Sequence, residues 1–176
     1  MENTPIDIRI LIVDDHPVVR EGLSSMLARQ PGVRVVAAVG GGRQAAELLK
    51  HTGADIALID LRMPGLSGIE CIRELRRIAP KTKAIVLSSF ESDEEIYQAV
   101  ETGASGYLLK EMDSEVIMRG IRDVFRGGSC FPSSITQRLA ERKRRVDLSP
   151  REKEILELVA KGFTNKEIAS ALRLSQ

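Results

Sequence analysis

Ile8-Arg9-Ile10-Leu11-Ile12-Val13 runs directly into Asp14-Asp15-His16-Pro17. A stretch that is apolar but for one residue reads as a strand buried on both faces, the kind that parallel sheets use. Two carboxylates stand where that strand ends, and Pro17 suits the first turn of a helix. Comparable runs recur at Val33 to Val39, Ile56 to Ile59, Ala84 to Leu87 and Tyr107 to Leu109. Between them the apolar residues take helical spacing: Val19, Leu23, Met26 and Leu27; Ala45, Leu48 and Leu49; Ile69, Ile72, Leu75 and Ile78; Ile96, Ala99 and Val100. A fifth helical pattern holds Val116, Ile117, Ile121 and Val124. Five strands alternating with five helices predict a doubly wound α/β domain over residues 6 to 125, with helices on both faces of a parallel sheet.

Composition narrows the function classes. The chain has 176 residues, 43% hydrophobic and 29% charged, enough for one sizeable core and a small second unit. Of its 26 Lys+Arg and 25 Asp+Glu, 11 and 6 fall in residues 126 to 176, a net +5; the remaining 15 and 19 give residues 1 to 125 a net −4. One part suits cations and the other polyanions. No apolar run approaches the roughly 20 residues that cross a bilayer, and Met1 to Arg9 lacks a signal-peptide pattern, so a cytoplasmic location is expected. Cys71 and Cys130 are far apart and the only histidines are His16 and His51. Disulfide frameworks and zinc knuckles are therefore excluded, and carboxylates binding a hard ion such as Mg²⁺ are favoured.

The polar residues that close the strands carry the chemistry. Asp14 and Asp15 follow the first strand, Asp60 the third, Ser88 the fourth and Lys110 the fifth, and parallel strands bring these ends to one edge. Three gathered carboxylates repel one another and call for a cation. With Lys110 opposite, they suit a phosphoryl group, whose transfer depends on positioning and charge neutralisation. Asp60 is the natural nucleophile, and Ser88 can hydrogen-bond the attached phosphoryl oxygen. Each residue alone would be an ordinary turn or strand-end residue; the joint placement decides otherwise. Met63-Pro64-Gly65 fixes a tight loop beside the site. His16 reads as a helix-entry residue or a solvent contact.

Val13-Asp14-Asp15-His16-Pro17, Asp60-Leu61-Arg62-Met63-Pro64-Gly65 with Gly68, Ser88-Ser89, and Gly103-Ala104-Ser105-Gly106-Tyr107-Leu108-Leu109-Lys110 together resemble the receiver domain of bacterial two-component response regulators, whose sheet is flavodoxin-like. Leu148-Ser149-Pro150-Arg151-Glu152 and Gly162-Phe163-Thr164-Asn165-Lys166-Glu167-Ile168-Ala169 resemble the LuxR-type helix-turn-helix, which makes the chain similar to the NarL/FixJ class. The resemblance implies that Asp60 is phosphorylated and that Asp14 and Asp15 form the acidic pair at Mg²⁺. Asp15, Asp60 and the backbone carbonyl of Arg62 would be direct ligands. It further implies Ser88 and Tyr107 as switch residues and Lys110 as the phosphate-contacting lysine. A sensor histidine kinase as donor, phosphorylation-dependent homodimerisation and DNA as target of the complete protein follow from the same resemblance.

From Arg126 to about residue 146 the texture turns to Gly, Ser and Pro, then to the basic run Arg142 to Arg145, which reads as a linker with a short helix. Residues 147 to 176 carry two capped helical patterns. Ser149-Pro150-Arg151-Glu152 starts one, whose apolar face is Ile155, Leu156 and Val159 and whose end is Gly162. Thr164-Asn165-Lys166-Glu167 starts the next, with Ile168, Ala169 and Leu172. A recognition helix would begin near Ser175, so this partial helix-turn-helix is expected to lack sequence readout. Arg151 and Lys166 would be its phosphate contacts.

Three other readings compete with this one. A turnover phosphatase would need a general acid two residues after Asp60, where Arg62 stands, so a non-enzyme is expected. A flavin binder would not place Asp14-Asp15-His16 where a phosphate must sit. A receiver acting only through protein contacts is the alternative to a DNA-binding regulator.

Overall fold

In the computed structural model the described residues are 7–89, 92–131, 133, 135–137, 150–164, 167–168 and 171–172. The chain divides into two compact units, Met1–Leu139 and Ala140–Gln176.

The first unit alternates strand and helix: β1(Ile8–Val13), α1(Pro17–Ala28), β2(Val33–Val39), α2(Gly42–Thr52), β3(Ile56–Ile59), α3(Gly68–Ile78), β4(Lys83–Ser88), α4(Asp93–Thr102), β5(Gly106–Leu109) and α5(Ser114–Phe125). All pairings are parallel, in the order β2-β1-β3-β4-β5. Alternation along each strand sorts the core into two layers. Leu11, Val13, Ala57, Ile59, Val86 and Tyr107 pack with Ala45, Leu49, Ile72, Leu75 and Ile96 of α2, α3 and α4. Their strand neighbours Ile10, Ile12, Ile56, Leu58, Ile85 and Leu87 pack with Leu27 of α1 and Ile117, Ile121 and Val124 of α5. Each fully buried Ile or Leu is worth roughly 1.5–3 kcal/mol, so this two-sided burial holds the strand ends rigid.

β2 differs from the expectation of burial on both faces, since none of its residues is fully buried and Arg34 and Ala38 are exposed. It lies at the sheet edge, with β1 on one side and, among the described residues, no strand on the other. The first unit also runs beyond the Phe125 boundary expected from the sequence. Cys130 bridges to Gly106, its carbonyl accepts from the Tyr107 N–H at 2.9 Å, and Ile135 is fully buried in the core. The stretch read as the start of a linker thus adds backbone hydrogen bonds and apolar burial to the β5 edge.

In the second unit α6(Pro150–Ala160) ends at Gly162, whose φ of 84° places it in the left-handed region that glycine adopts without strain. Thr164 and Glu167 close the expected capping box: the Thr164 N–H and hydroxyl both donate to Glu167 Oε2, at 2.8 and 2.6 Å. The apolar face expected on α6 is only partly covered, with Ile155 half-buried and Leu156 and Val159 about half exposed. Ser149 and Ala169, also named from the sequence, lie outside the described residues, as do Arg142 to Arg145 and Ser175.

Candidate functional site

The carboxyl edge of the sheet is built by ladder continuation. Beyond the last strand residues, the Asp14 N–H donates to the Val39 carbonyl at 3.0 Å, Asp60 N–H to Val13 at 2.8 Å and Lys110 N–H to Ser88 at 2.9 Å. These bonds fix the backbone of three charged residues before any side-chain contact is made. The adjoining loop is set by α3, where Ser67 and Glu70 form a capping box and the Gly68 N–H donates to the Leu61 carbonyl at 3.0 Å. A Cβ at Gly68 would collide with the Asp60 carbonyl and come to 2.6 Å from Leu61 Cα, so only glycine lets α3 start this close to Asp60.

Asp14 and Asp60 are buried, at 2% and 4% exposure. Lys110 Nζ lies between them, 2.7 Å from Asp14 Oδ2 and 2.8 Å from Asp60 Oδ2. Burial of the ammonium opposes its charge, but the hydrogen bonds to Asp14 and Asp60 outweigh that, so its pKa is raised above the ordinary lysine value. The Asp14 carbonyl accepts from Arg20 Nη1 at 2.7 Å, and Asp60 Oδ1 accepts from the Arg62 N–H at 3.4 Å.

The sequence-predicted residues Asp14, Asp15, Asp60 and Lys110 thus meet at one edge. Ser88 is buried at the end of β4, and its backbone carbonyl holds Lys110. Tyr107 is fully buried in the layer facing α2, α3 and α4. Arg62 contributes its backbone beside Asp60 while its side chain reaches α4, Nε donating to Glu95 Oε1 at 3.1 Å. Arg151 has its guanidinium on Glu154, at 3.0 Å, and on the Leu172 carbonyl. Lys166 lies outside the described residues.

Sequence reasoning missed the ring of His16. Its backbone begins α1, as expected, but Nδ1 turns into the pocket, 3.0 Å from Asp15 Oδ1, 3.3 Å from Asp14 Oδ1 and 3.7 Å from Asp60 Oδ2. The signal was present: Pro17 fixes the helix start, and the Asp14 carboxylate accepts the His16 N–H at 2.8 Å, which curls the chain back on the acids. The Arg62–Glu95 link had no comparable local signal.

Asp14, Asp15, His16 and Asp60 each offer a donor atom within 4.8 Å of the others, and among the described residues Asp15 Oδ1 is buried without a hydrogen bond, although His16 Nδ1 stands 3.0 Å away. An orphaned buried carboxylate oxygen among hard oxygen donors fits a divalent cation. Burial pushes the thiols of Cys71 and Cys130 up to about 12, and neither cysteine belongs to the cluster.

A lysine bridging two buried aspartates at the carboxyl edge of a 2-1-3-4-5 parallel sheet defines a receiver. Comparison with known proteins agrees. Residues 10–122 match the family model of the response regulator receiver domain, and residues 146–176 match bacterial regulatory proteins of the luxR family. The nitrate/nitrite response regulator protein NarP of Escherichia coli K12 is 36% identical over 99% of this chain and 84% of its own. A LuxR-family two-component response regulator from Aurantimonas sp. SI85-9A1 superposes with a TM-score of 0.73 at 33% identity, over 79% of this chain and 99% of that one. The RcsB response regulator of Salmonella typhimurium gives 0.83 at 28%, over 96% and 85%. RcsB has also been solved as two dimers bound to two parallel DNAs, with a TM-score of 0.76 at 28% identity over 96% and 84%. The chain therefore belongs to the two-component response regulators, in the class that joins a receiver to a LuxR-type helix-turn-helix. That membership does not favour a receiver working through protein contacts alone. Among the described residues no helix is long and apolar enough to cross a membrane.

Proposed function

We propose that this response regulator accepts a phosphoryl group on Asp60 and relays the change to a DNA-binding output. The observation that carries the reading is the Lys110 bridge, which holds Asp60 Oδ2, while Oδ1 accepts the long 3.4 Å contact from the Arg62 N–H. The less engaged oxygen attacks phosphorus, a P–N bond to a donor phosphohistidine breaks, and the imidazole leaves with a proton. Lys110 stays within reach of the new phosphoryl oxygens, and the buried hydroxyl-bearing Ser88 lies at the end of the neighbouring strand. Asp15, Asp14, Asp60 and the Arg62 carbonyl would hold Mg²⁺, which supplies charge neutralisation for the incoming phosphoryl group. A sensor histidine kinase is the donor, the phosphorylated form is the dimer, and Tyr107 with Ser88 links the pocket to the α4–β5 surface. RcsB's assembly as dimers on DNA supports the output half of the reading.

Acetyl phosphate with Mg²⁺ should add one phosphoryl mass to the intact protein, and Asp60→Asn should abolish it. Equal labelling of that variant refutes the assignment. The basic second unit should give DNA affinity that falls steeply with salt, and binding indifferent to salt would remove phosphate contacts as its basis.

A further inference from the structure

The helix that His16 begins does not account for its ring. The side chain makes no capping hydrogen bond to α1, whose entry is already set by Pro17. Instead Nδ1 lies among three carboxylates, at 3.0 Å from Asp15, 3.3 Å from Asp14 and 3.7 Å from Asp60. With metal–ligand bonds of about 2.0–2.2 Å, neighbouring donors in an octahedral or tetrahedral shell stand roughly 2.8–3.6 Å apart. The spacings from His16 to Asp15 and Asp14 fall inside that window, and the third, to Asp60, lies just outside it. Nδ1 is within hydrogen-bonding distance of Asp14 Oδ1, and Asp15 Oδ1, 3.0 Å from Nδ1, is buried with no hydrogen bond among the described residues. Lys110 draws on Asp14 Oδ2 and Asp60 Oδ2, which leaves Asp14 Oδ1, Asp15 Oδ1 and His16 Nδ1 outside the lysine bridge. The ring is 61% exposed, which leaves a solvent side for water ligands.

We propose that His16 is a nitrogen donor at this cation site, so that the pocket takes an imidazole-seeking divalent ion of the zinc class as well as oxygen-seeking Mg²⁺. The inference rests on the cation reading of the pocket and is independent of phosphoryl transfer. Mg²⁺ gains little from an imidazole, whereas Zn²⁺ and Co²⁺ bind it readily. Removing the ring should therefore change selectivity between the two kinds of ion. With only His16 and His51 as histidines and both thiols protonated, competing soft sites are few.

The test is calorimetric titration of the full chain with Zn²⁺ and with Mg²⁺, together with ¹⁵N imidazole spectra during zinc addition. The zinc-to-magnesium affinity ratio should fall roughly tenfold or more in His16→Ala, and zinc should shift the His16 Nδ1 resonance, assigned with His51→Ala. An unchanged ratio, or zinc shifts confined to His51, overturns the proposal. So does equal strengthening of both ions in His16→Ala, which would make the ring a counter-charge only. If the parent and Asp15→Asn bind neither ion differently, the cation reading itself fails.

Discussion

Replacing Lys110 with methionine keeps most of the side chain's bulk and removes the charge that joins two buried carboxylates. Nζ stands 2.7 Å from Asp14 and 2.8 Å from Asp60, and the lysine side chain is only 12% exposed. At an effective dielectric near 20, each contact carries on the order of 6 kcal/mol of Coulomb attraction, most of it offset by desolvation. Truncating one partner of such a buried cluster costs about 3–5 kcal/mol, because the remaining charges lose their counter-ion. Lys110→Met should lose that much stability in urea unfolding followed by circular dichroism in EDTA. Mg²⁺ should return part of the loss, stabilising the variant more than the parent, since a cation bound only by the folded state adds RT ln(1 + [L]/Kd). Adding Asp60→Asn should also recover stability, by removing one of the two opposed charges. A variant within about 0.5 kcal/mol of the parent in EDTA, or equal Mg²⁺ stabilisation of the two, would show that the bridge is not what holds the pocket.

Gly68→Ala should cost about 1–3 kcal/mol and slow acetyl phosphate labelling, because its Cβ must displace the backbone at Asp60 and Leu61; labelling at the parental rate would refute the close approach. Asp55 receives the Arg9 N–H at 2.9 Å and its guanidinium at 3.0 and 3.2 Å, hydrogen bonds that lower its pKa below the ordinary carboxylate value. A lowered folded pKa contributes stability that is complete above the unfolded value and is lost as pH falls through the folded one. Asp55→Asn should therefore flatten the acid limb of stability below about pH 4, read from urea midpoints, and an unaltered acid limb would contradict the pairing.

Much of this architecture was legible in the chain itself. β1, β2 and β3 have the bounds their apolar runs indicate, and β4 gains Lys83 and Ser88 at its ends while β5 gains Gly106. Strand ends were legible because two-sided burial writes an unbroken apolar run, and the parallel order then fixes which polar residues share an edge. Tertiary competition was not legible. Ser67-x-x-Glu70 and Thr164-x-x-Glu167 both close as capping boxes, yet Ser92 makes no side-chain cap although Glu95 stands three residues later. Glu95 turns instead to Arg62, 33 residues away, and no local pattern announces such a partner. Cys130 shows the same limit, since a glycine- and serine-rich stretch gives no sign that its backbone will bond β5.

The ladder bonds that position the acidic pocket come from strands spread along the sequence, with Asp60 and its lysine 50 residues apart. At roughly 5–20 residues per second, a ribosome takes about 3–10 s to make that interval. Through that time Asp14, Asp15 and Asp60 are on the nascent chain while the ammonium that neutralises them has yet to be made. The internal counter-charge of the pocket is thus a property of the completed sheet, since the carboxylates that follow β1 and β3 meet the Lys110 ammonium only after β5 has been made.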